Sequence, residues 1–346
     1  MSEVFLSYIV PCYNVEKYLP RCIESLKQQF VESYDLEFIM VNDGSTDGTI
    51  SLINEFAESD KRVVVVDQEN LGVCKARNNG LKVARGEYVF FLDGDDYMTD
   101  NAAQIIRNFS SDSNPDIAMF GNYKIHEGRP DTGEVWSDCS RFIVPGVYDR
   151  KTYIEKTKKV PVSSKLYKTE FLRTNNIEFD EALKTGEVYT FFIHALTKAN
   201  VIGVSADFIM YYLKRKGGSA TAVIDTNRDM SILDTLHVIT RYTDNYPLLL
   251  EKRSFIVPFF WLITSFSIIK YVGRTKYDSR VSAVVSALKK ENDYKLLLDF
   301  LTTGKGFRLD TISLIAAAIK YLPIRICYNL LKLFYKMAAK KSERNE

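Results

Sequence analysis

Three carboxylates fall within four residues at Asp93-Gly94-Asp95-Asp96, directly after the apolar run 88–92. Carboxylates this close repel one another unless a cation intervenes. An all-oxygen donor set suits Mg2+ or Mn2+, ions that commonly bridge one or two protein carboxylates to a diphosphate. There the ion would neutralise charge developing on a departing group. The same four residues also read as a solvated acidic turn that caps the next helix. Two more polar loops, Pro11-Cys12-Tyr13-Asn14 and Asn42-Asp43-Gly44-Ser45-Thr46-Asp47, follow other apolar runs. Tyr13 offers a ring for stacking on a base, or for packing, and Pro11 fixes the turn before it. Asp43 can accept from a base or ribose donor, Gly44 allows a close backbone approach, and Asp47 suits a helix cap.

The elements that must position these loops are legible as alternating patterns. Residues 4–10, 36–41, 63–66, 88–92 and 117–120 are strand-length apolar runs, as expected for strands covered on both faces. Between the first two, Val15, Leu19, Ile23, Leu26 and Phe30 recur at helical spacing, with Pro20 acceptable in a first turn. Ile50, Ile53 and Phe56 mark a second helix after Asp47-Gly48-Thr49. Arg77, Asn78 and Leu81 mark a third, ended by Gly86. Strand–helix alternation predicts a doubly wound, mostly parallel α/β sheet, which binds ligands beyond the carboxyl ends of its strands. Residues 112–145 read as a loop-rich excursion, strand and helix signals resume over 148–213, and the pattern beyond about 226 is helical. No GxGxxG follows the first strand, which argues against a dinucleotide dehydrogenase.

The strings SYIVPCYNVEKYL, VNDGSTDGT, ARNNGL and FFLDGDDY, in this order and spacing, resemble glycosyltransferase family 2 with the GT-A fold. The resemblance covers roughly residues 5–215. It implies a Rossmann-like GT-A domain over 1–222 with a helical C-terminal region over 223–346. It also implies a nucleotide-sugar donor, usually a UDP-sugar, a saccharide acceptor, and Mn2+ or Mg2+. By resemblance, Pro11, Tyr13 and Asn14 flank the base, Asp43 reads it, and Arg77 lies near the base or phosphates. Asp93-Gly94-Asp95 stands as the family's DxD, with Asp95 a direct metal ligand and Asp93 towards ribose or metal. Asn42 stands where many relatives carry Asp. SSKLYKTEF is similar to a lysine segment that places Lys165 near the donor or acceptor, and in YYLKRKGGSAT, Lys214 and Arg215 with Gly217-Gly218-Ser219 fit a lid over the diphosphate. A charged exposed turn is the other reading of that last stretch.

Inverting transfer needs a carboxylate to take the acceptor's proton. Relatives supply it from a Gly-Glu-Asp segment; here Gly186-Glu187-Val188 keeps the glutamate and has valine in place of the aspartate. Glu187 is then the expected base, its side chain being one methylene longer than aspartate, with His194 a lesser candidate on the same helical face. The alternative is a non-catalytic, nucleotide-sugar-binding subunit that partners another transferase.

A net charge of +2 argues against nucleic acid as the main partner. Five scattered cysteines without a CxxC pair suggest neither disulfides nor zinc, and with no signal-like N-terminus they point to a cytoplasmic protein. Residues 255–269 are uncharged but too short for a bilayer span and contain Pro258. They fit a buried or partner-facing helix, homodimerisation included. Over 311–341 the charged residues are Lys320, Arg325, Lys332, Lys336, Lys340 and Lys341, with no acid among them. That pattern fits a basic amphipathic helix on the anionic inner face of a membrane, suited to a polyprenyl-diphosphate-linked acceptor; an ordinary packed surface helix is the other reading.

Overall fold

The computed structural model describes residues 4–31, 35–129, 133–157, 164–184 and 186–216. The chain divides into two compact units, Met1–Leu183 with Glu187–Ala222, and Lys184–Gly186 with Val223–Glu346. The expectations for 217–346 (the lid glycines, the apolar and basic helices, dimer and membrane contacts) lie outside the described residues. No helix among the described residues is long and apolar enough to cross a membrane.

Four strands, β1 (Val4–Cys12), β2 (Asp35–Asp43), β3 (Val63–Gln68) and β4 (Tyr88–Phe91), run parallel in the order β3-β2-β1-β4. Helices α1 (Leu19–Lys27), α2 (Thr49–Ser59) and α3 (Val73–Val83) connect them. Nearly every residue of β1 and β2 is buried, which is why both read as unbroken apolar runs rather than alternating ones. Under α1 and α2 the core is a chain of rings. Tyr8 lies 5.9 Å from Phe38, and Phe38 stacks on Phe56 at 5.8 Å. Each such fully buried ring contributes about 1.5–3 kcal/mol.

On the other face α3 comes unusually close. A Cβ at Gly80 would stand 2.4 Å from Ile9 Cγ2 and 3.3 Å from Val41 Cγ2, so only glycine lets the helix lie against β1 and β2. That close seat brings Arg77, one turn earlier, towards the carboxyl ends of the strands. Gly86 is not the helix stop expected from sequence: α3 ends at Val83, and Gly86 belongs to the turn into β4. A Cβ there would meet Ser7 N at 2.5 Å. In the same turn the buried Glu37 carboxylate accepts from Ser7 Oγ, Arg85 N and Arg85 Nε, which satisfies a charge that would otherwise be costly inside.

Beyond β4 the sheet continues as β9-β6-β10-β5, with α4 (Ala102–Ser113) packed on β10 (Val201–Lys214). Strands β6 (Ile117–His126) and β10 pair in parallel; β9 (Lys165–Lys168) lies antiparallel between β4 and β6, and β5 (Tyr97–Met98) antiparallel on β10. Because β9 alone is reversed between β4 and β6, the carboxyl ends of β1, β2, β4, β6 and β10 share one edge with the start of β9. The loop-rich reading of 112–145 needs correction. β6 runs on to His126 and carries a four-residue edge strand, β7 (Glu134–Ser137), while β8 (Gly146–Asp149) pairs with β10. Gly121-Asn122-Tyr123-Lys124 breaks the apolar run and hid this extension. Phe30, expected on the buried face of α1, is 71% exposed because the helix already ends at Lys27. Helices α5 (Arg150–Lys156), α6 (Thr169–Thr174) and α7 (Glu187–Lys198) complete the described chain.

Candidate active site

The three polar loops converge at the shared edge. Asp96 N donates to Asp93 O at 2.9 Å and closes the acidic turn, and one carboxylate oxygen from each of Asp93, Asp95 and Asp96 lies within 4.8 Å of the others. Gly94 is enclosed: a Cβ would stand 3.2 Å from Cys12 Sγ and 3.3 Å from Pro11 O. Pro11 is buried at the end of β1 and so serves as the wall against which the acidic turn packs.

The end of β10 covers that turn. Arg215 Nη2 sits 2.6 Å from Asp95 Oδ2 with its guanidinium over the Tyr18 ring, and Leu213 N donates to Asp96 Oδ1 at 2.9 Å. Lys214, between them, points the other way and is exposed, as strand alternation requires. Burial, then repulsion from Asp93, raises the pKa of Asp95, with Arg215 opposing. Burial, then Asp95 and Asp93, raises that of Asp96 far more. A triad that runs from exposed Asp93 to buried Asp96, with this much mutual repulsion, fits a divalent cation. Asp96→Asn keeps an oxygen for Leu213 N–H and removes one repelling charge. A carboxyl with a raised folded-state pKa destabilises the fold above that pKa, and the penalty fades on acidification. In EDTA at pH 7 the variant is therefore expected to melt higher than the parent, with the gain fading as the pH falls towards the ordinary carboxylate range. A lower melting temperature in calorimetry would refute the reading.

Arg77, 4% exposed on α3, joins two parts of the edge. Nη2 lies 2.7 Å from Asp93 Oδ1, Nη1 lies 3.2 Å from Glu187 Oε1 at the start of α7, and the guanidinium stands over Phe179. Burial opposes its charge, and the two carboxylates more than offset that. Its nearest partners are thus two carboxylates from distant parts of the sequence, rather than the open space expected around a base- or phosphate-binding group.

Asp43 is buried and largely committed. It accepts from Gln68 Nε2 at 2.7 Å, Leu71 N at 2.8 Å and Gly72 N at 3.0 Å, which leaves about one of a carboxylate's four acceptor directions. Its evident work is to hold the loop that starts α3. Asn42 is likewise structural, donating to Asp67 at 2.7 Å and accepting from Ser45 N. Asp47 accepts from Thr49 N at the start of α2, the capping reading. Asn14 takes a left-handed φ of 50°, tolerable for asparagine, and its Oδ1 accepts from Thr46 N at 2.8 Å, which ties the first loop to the second. Tyr13, nearly half exposed, leaves its ring face available.

Beside the acidic turn lies a cavity of about 350 Å3, within the usual range for ligand sites. Arg77, Asp93, Asp96 and Lys165 line it, together with Val188, whose isopropyl group fills the place expected of an aspartate. Lys165 is buried, with Nζ 5.0 Å over the Phe192 ring and no hydrogen-bond acceptor among the described residues. Burial brings its pKa down to about 8. Ser164 Oγ is buried and has no hydrogen-bond partner among the described residues. His194 does not line the cavity, and burial, then Lys198, lowers its pKa. Sequence reasoning missed Trp136, Tyr212 and Ser164, all on the cavity wall. The chain's two tryptophans were a usable signal for the first; the other two lie inside SSKLYKTEF and YYLKRKGGSAT, where the neighbouring cations draw the attention.

The profile of Glycosyl transferase family 2 matches residues 7–173. A poly(ribitol-phosphate) beta-glucosyltransferase of Bacillus spizizenii is 31% identical over 220 residues, covering 63% of this chain and 33% of that protein. The chain spans less than two thirds of the length of this relative. The crystal structure of Staphylococcus aureus TarS 1-349 with UDP-GlcNAc superposes with a TM-score of 0.59 at 22% identity, covering 97% of this chain and 92% of that one. A mannosyltransferase from Pyrobaculum calidifontis, solved with GDP-Man and Mn2+, gives 0.54 at 15% identity, covering 95% and 86%. At these identities the two structures speak for the GT-A fold.

Proposed function

We infer, from a chain whose residues 7–173 belong to glycosyl transferase family 2, that it transfers a sugar from a UDP-sugar to a carbohydrate acceptor with inversion. The observation that carries the reading is Arg77, which lines the cavity and links the acidic turn through Asp93 to Glu187 at the start of α7. The base stacks on Tyr13, and the diphosphate lies over the turn at Asp93–Asp96. Asp93, Asp95 and Asp96 would hold Mn2+ or Mg2+, which when bound offsets charge on the leaving diphosphate. Arg215 starts on Asp95 and is free to move to a phosphate oxygen once that carboxylate has another partner. The acceptor hydroxyl attacks the anomeric carbon, the bond to the diphosphate breaks and its electron pair leaves with UDP. Glu187 takes the hydroxyl's proton, because Val188 has none of the chemistry to do so. We assign catalysis to residues 1–222, and to 223–346 docking on an anionic membrane leaflet that carries the lipid-linked acceptor. The lysine- and arginine-only charge pattern of 311–341 supports this second assignment.

Val188 favours one other reading, a donor-binding subunit without turnover. Calorimetry with UDP, GDP and UDP-sugars in Mn2+ and in EDTA, followed by a UDP-release assay, separates the two. The proposed enzyme binds UDP only with metal and releases it from the UDP-sugar in turnover. Metal-dependent binding without release would identify the subunit, and metal-independent binding would overturn the site.

A further inference from the structure

The cavity has a second end that the transfer reading leaves without an occupant. Trp136, on the edge strand β7, stacks on Tyr212 of β10 with ring centroids 5.9 Å apart and planes 16° from parallel. Lys124 Nζ lies 4.6 Å over the indole and is itself 3.4 Å from Glu134, so the ring is clamped from the strand beside it. Yet Trp136 is 46% exposed. An indole held in place by two neighbours and still half open to water is a binding surface more than a packing one.

The backbone has been altered to put it there. Along the β6–β7 ladder Asn122 pairs with Ser137, but the next residue, Tyr123, pairs with Val135. Trp136 is the extra residue of a β-bulge, a device that re-aims one side chain and is over-represented beside active sites. With the regular two-residue alternation, Trp136 would have its own partner on β6 and a fixed face.

Sheet order sets what this surface can meet. The donor's nucleotide belongs over β1, β2 and β4, where Tyr13 and the acidic turn lie. Ser164 and Lys165, at the start of β9, come next along the edge; neither side chain has a hydrogen-bond partner among the described residues, which suits them to the donor sugar's own substituents. Tyr212, on β10, lies two strands beyond β9 in the sheet, on the cavity wall away from β1 and β2.

We propose that Trp136, stacked on Tyr212, is the platform on which the acceptor's terminal pyranose rests its C–H face, a specificity-determining contact of the same cavity. This rests on the transfer reading above. The C–H face of a pyranose is apolar and flat, and an offset aromatic pair offers it a wide, rigid surface; an acyclic alditol phosphate offers no such face.

The test uses Trp136→Ala and Trp136→Phe, with cellotetraose, chitotetraose and poly(ribitol phosphate) as acceptor probes and UDP-sugar hydrolysis as the acceptor-free readout. Trp136→Ala is expected to raise the KM for a tetraose at least tenfold, to leave UDP-sugar Kd and hydrolysis within twofold, and to be largely rescued by Trp136→Phe. In a Trp261→Phe background the remaining tryptophan, Trp136, should change its fluorescence on adding the tetraose, a readout that needs no turnover. Unchanged KM with no fluorescence response overturns the proposal. So does an equal loss in donor Kd, which would place the donor sugar on the ring, and so does a wild-type preference for poly(ribitol phosphate) that Trp136→Ala does not affect. Absence of metal-dependent UDP binding in the wild type would instead sink the transfer reading, and the fluorescence response would still report on the platform.

Discussion

Glu187→Gln is expected to cut acceptor-dependent transfer by roughly 10²–10⁴-fold, the usual worth of a positioned general base. UDP-sugar affinity should stay within a few-fold, since Glu187 bonds a different guanidinium nitrogen of Arg77 from Asp93 and lies outside the acidic turn. Glutamine keeps an oxygen for Arg77 Nη1 but withdraws one of the two charges that compensate a guanidinium only 4% exposed. A stability loss of about 1–2 kcal/mol is expected with it, because charge-assisted hydrogen bonds exceed neutral ones. Urea denaturation and a transfer assay, run on the same sample, separate the two effects. Adding Val188→Asp to Glu187→Gln should recover part of the lost transfer, for it puts a carboxylate on the cavity wall where valine stands. Transfer unchanged by Glu187→Gln would remove Glu187 from the chemistry and bring the donor-binding subunit forward.

A second large effect, of opposite sign for stability, is expected at Lys165. Its ammonium is buried over Phe192, and burial brings the pKa from its ordinary 10.5 to about 8. At pH 7 the folded protein therefore carries a charge it would rather not hold. The drop corresponds to roughly 3 kcal/mol. For a lysine whose folded pKa is lowered, this penalty is fully present below pH 8, fades between 8 and 10.5, and is absent above. Lys165→Met keeps the stem's volume and removes the charge, so it should stabilise the protein by up to about 3 kcal/mol at pH 7 and by little at pH 10.5. Transfer should fall steeply in the same variant, as happens where binding groups are held at the expense of stability. Urea midpoints at the two pH values measure the first half. A methionine variant less stable at pH 7 would mean the ammonium has a partner in solution, and the donor-sugar role would fall with it.

Much of this site was legible in the residues. Asp93, Asp95 and Asp96 follow a strand directly, so their placement is a local matter of strand plus turn, and the same holds for Tyr13 and Asn14 after β1. Lys165 and Arg215 were identified by string similarity, and both lie at the shared edge, Arg215 against Asp95 and Lys165 in the cavity. Asp43 reads, from its type and from the family resemblance, as a ligand-facing acceptor. A carboxylate in a loop can turn inward as readily as outward, and here three donors from 68–72 turn it inward. Lys214 shows the same limit: strand alternation permits only one of two adjacent cations to face the acidic turn, and sequence cannot say which.

The acidic cluster and the loops beside it were thus determined by sequence alone, because their geometry depends on contacts a few residues apart. Other features belong to the tertiary structure. The reversed strand β9 carries Ser164 and Lys165 to an edge made of parallel strand ends. Arg77 meets Glu187 across 110 positions of sequence. The bulge at Trp136 turns an edge-strand residue into a cavity wall. Each depends on which strands pair and in what register, and pairing energies are spread over whole ladders rather than written at any one position.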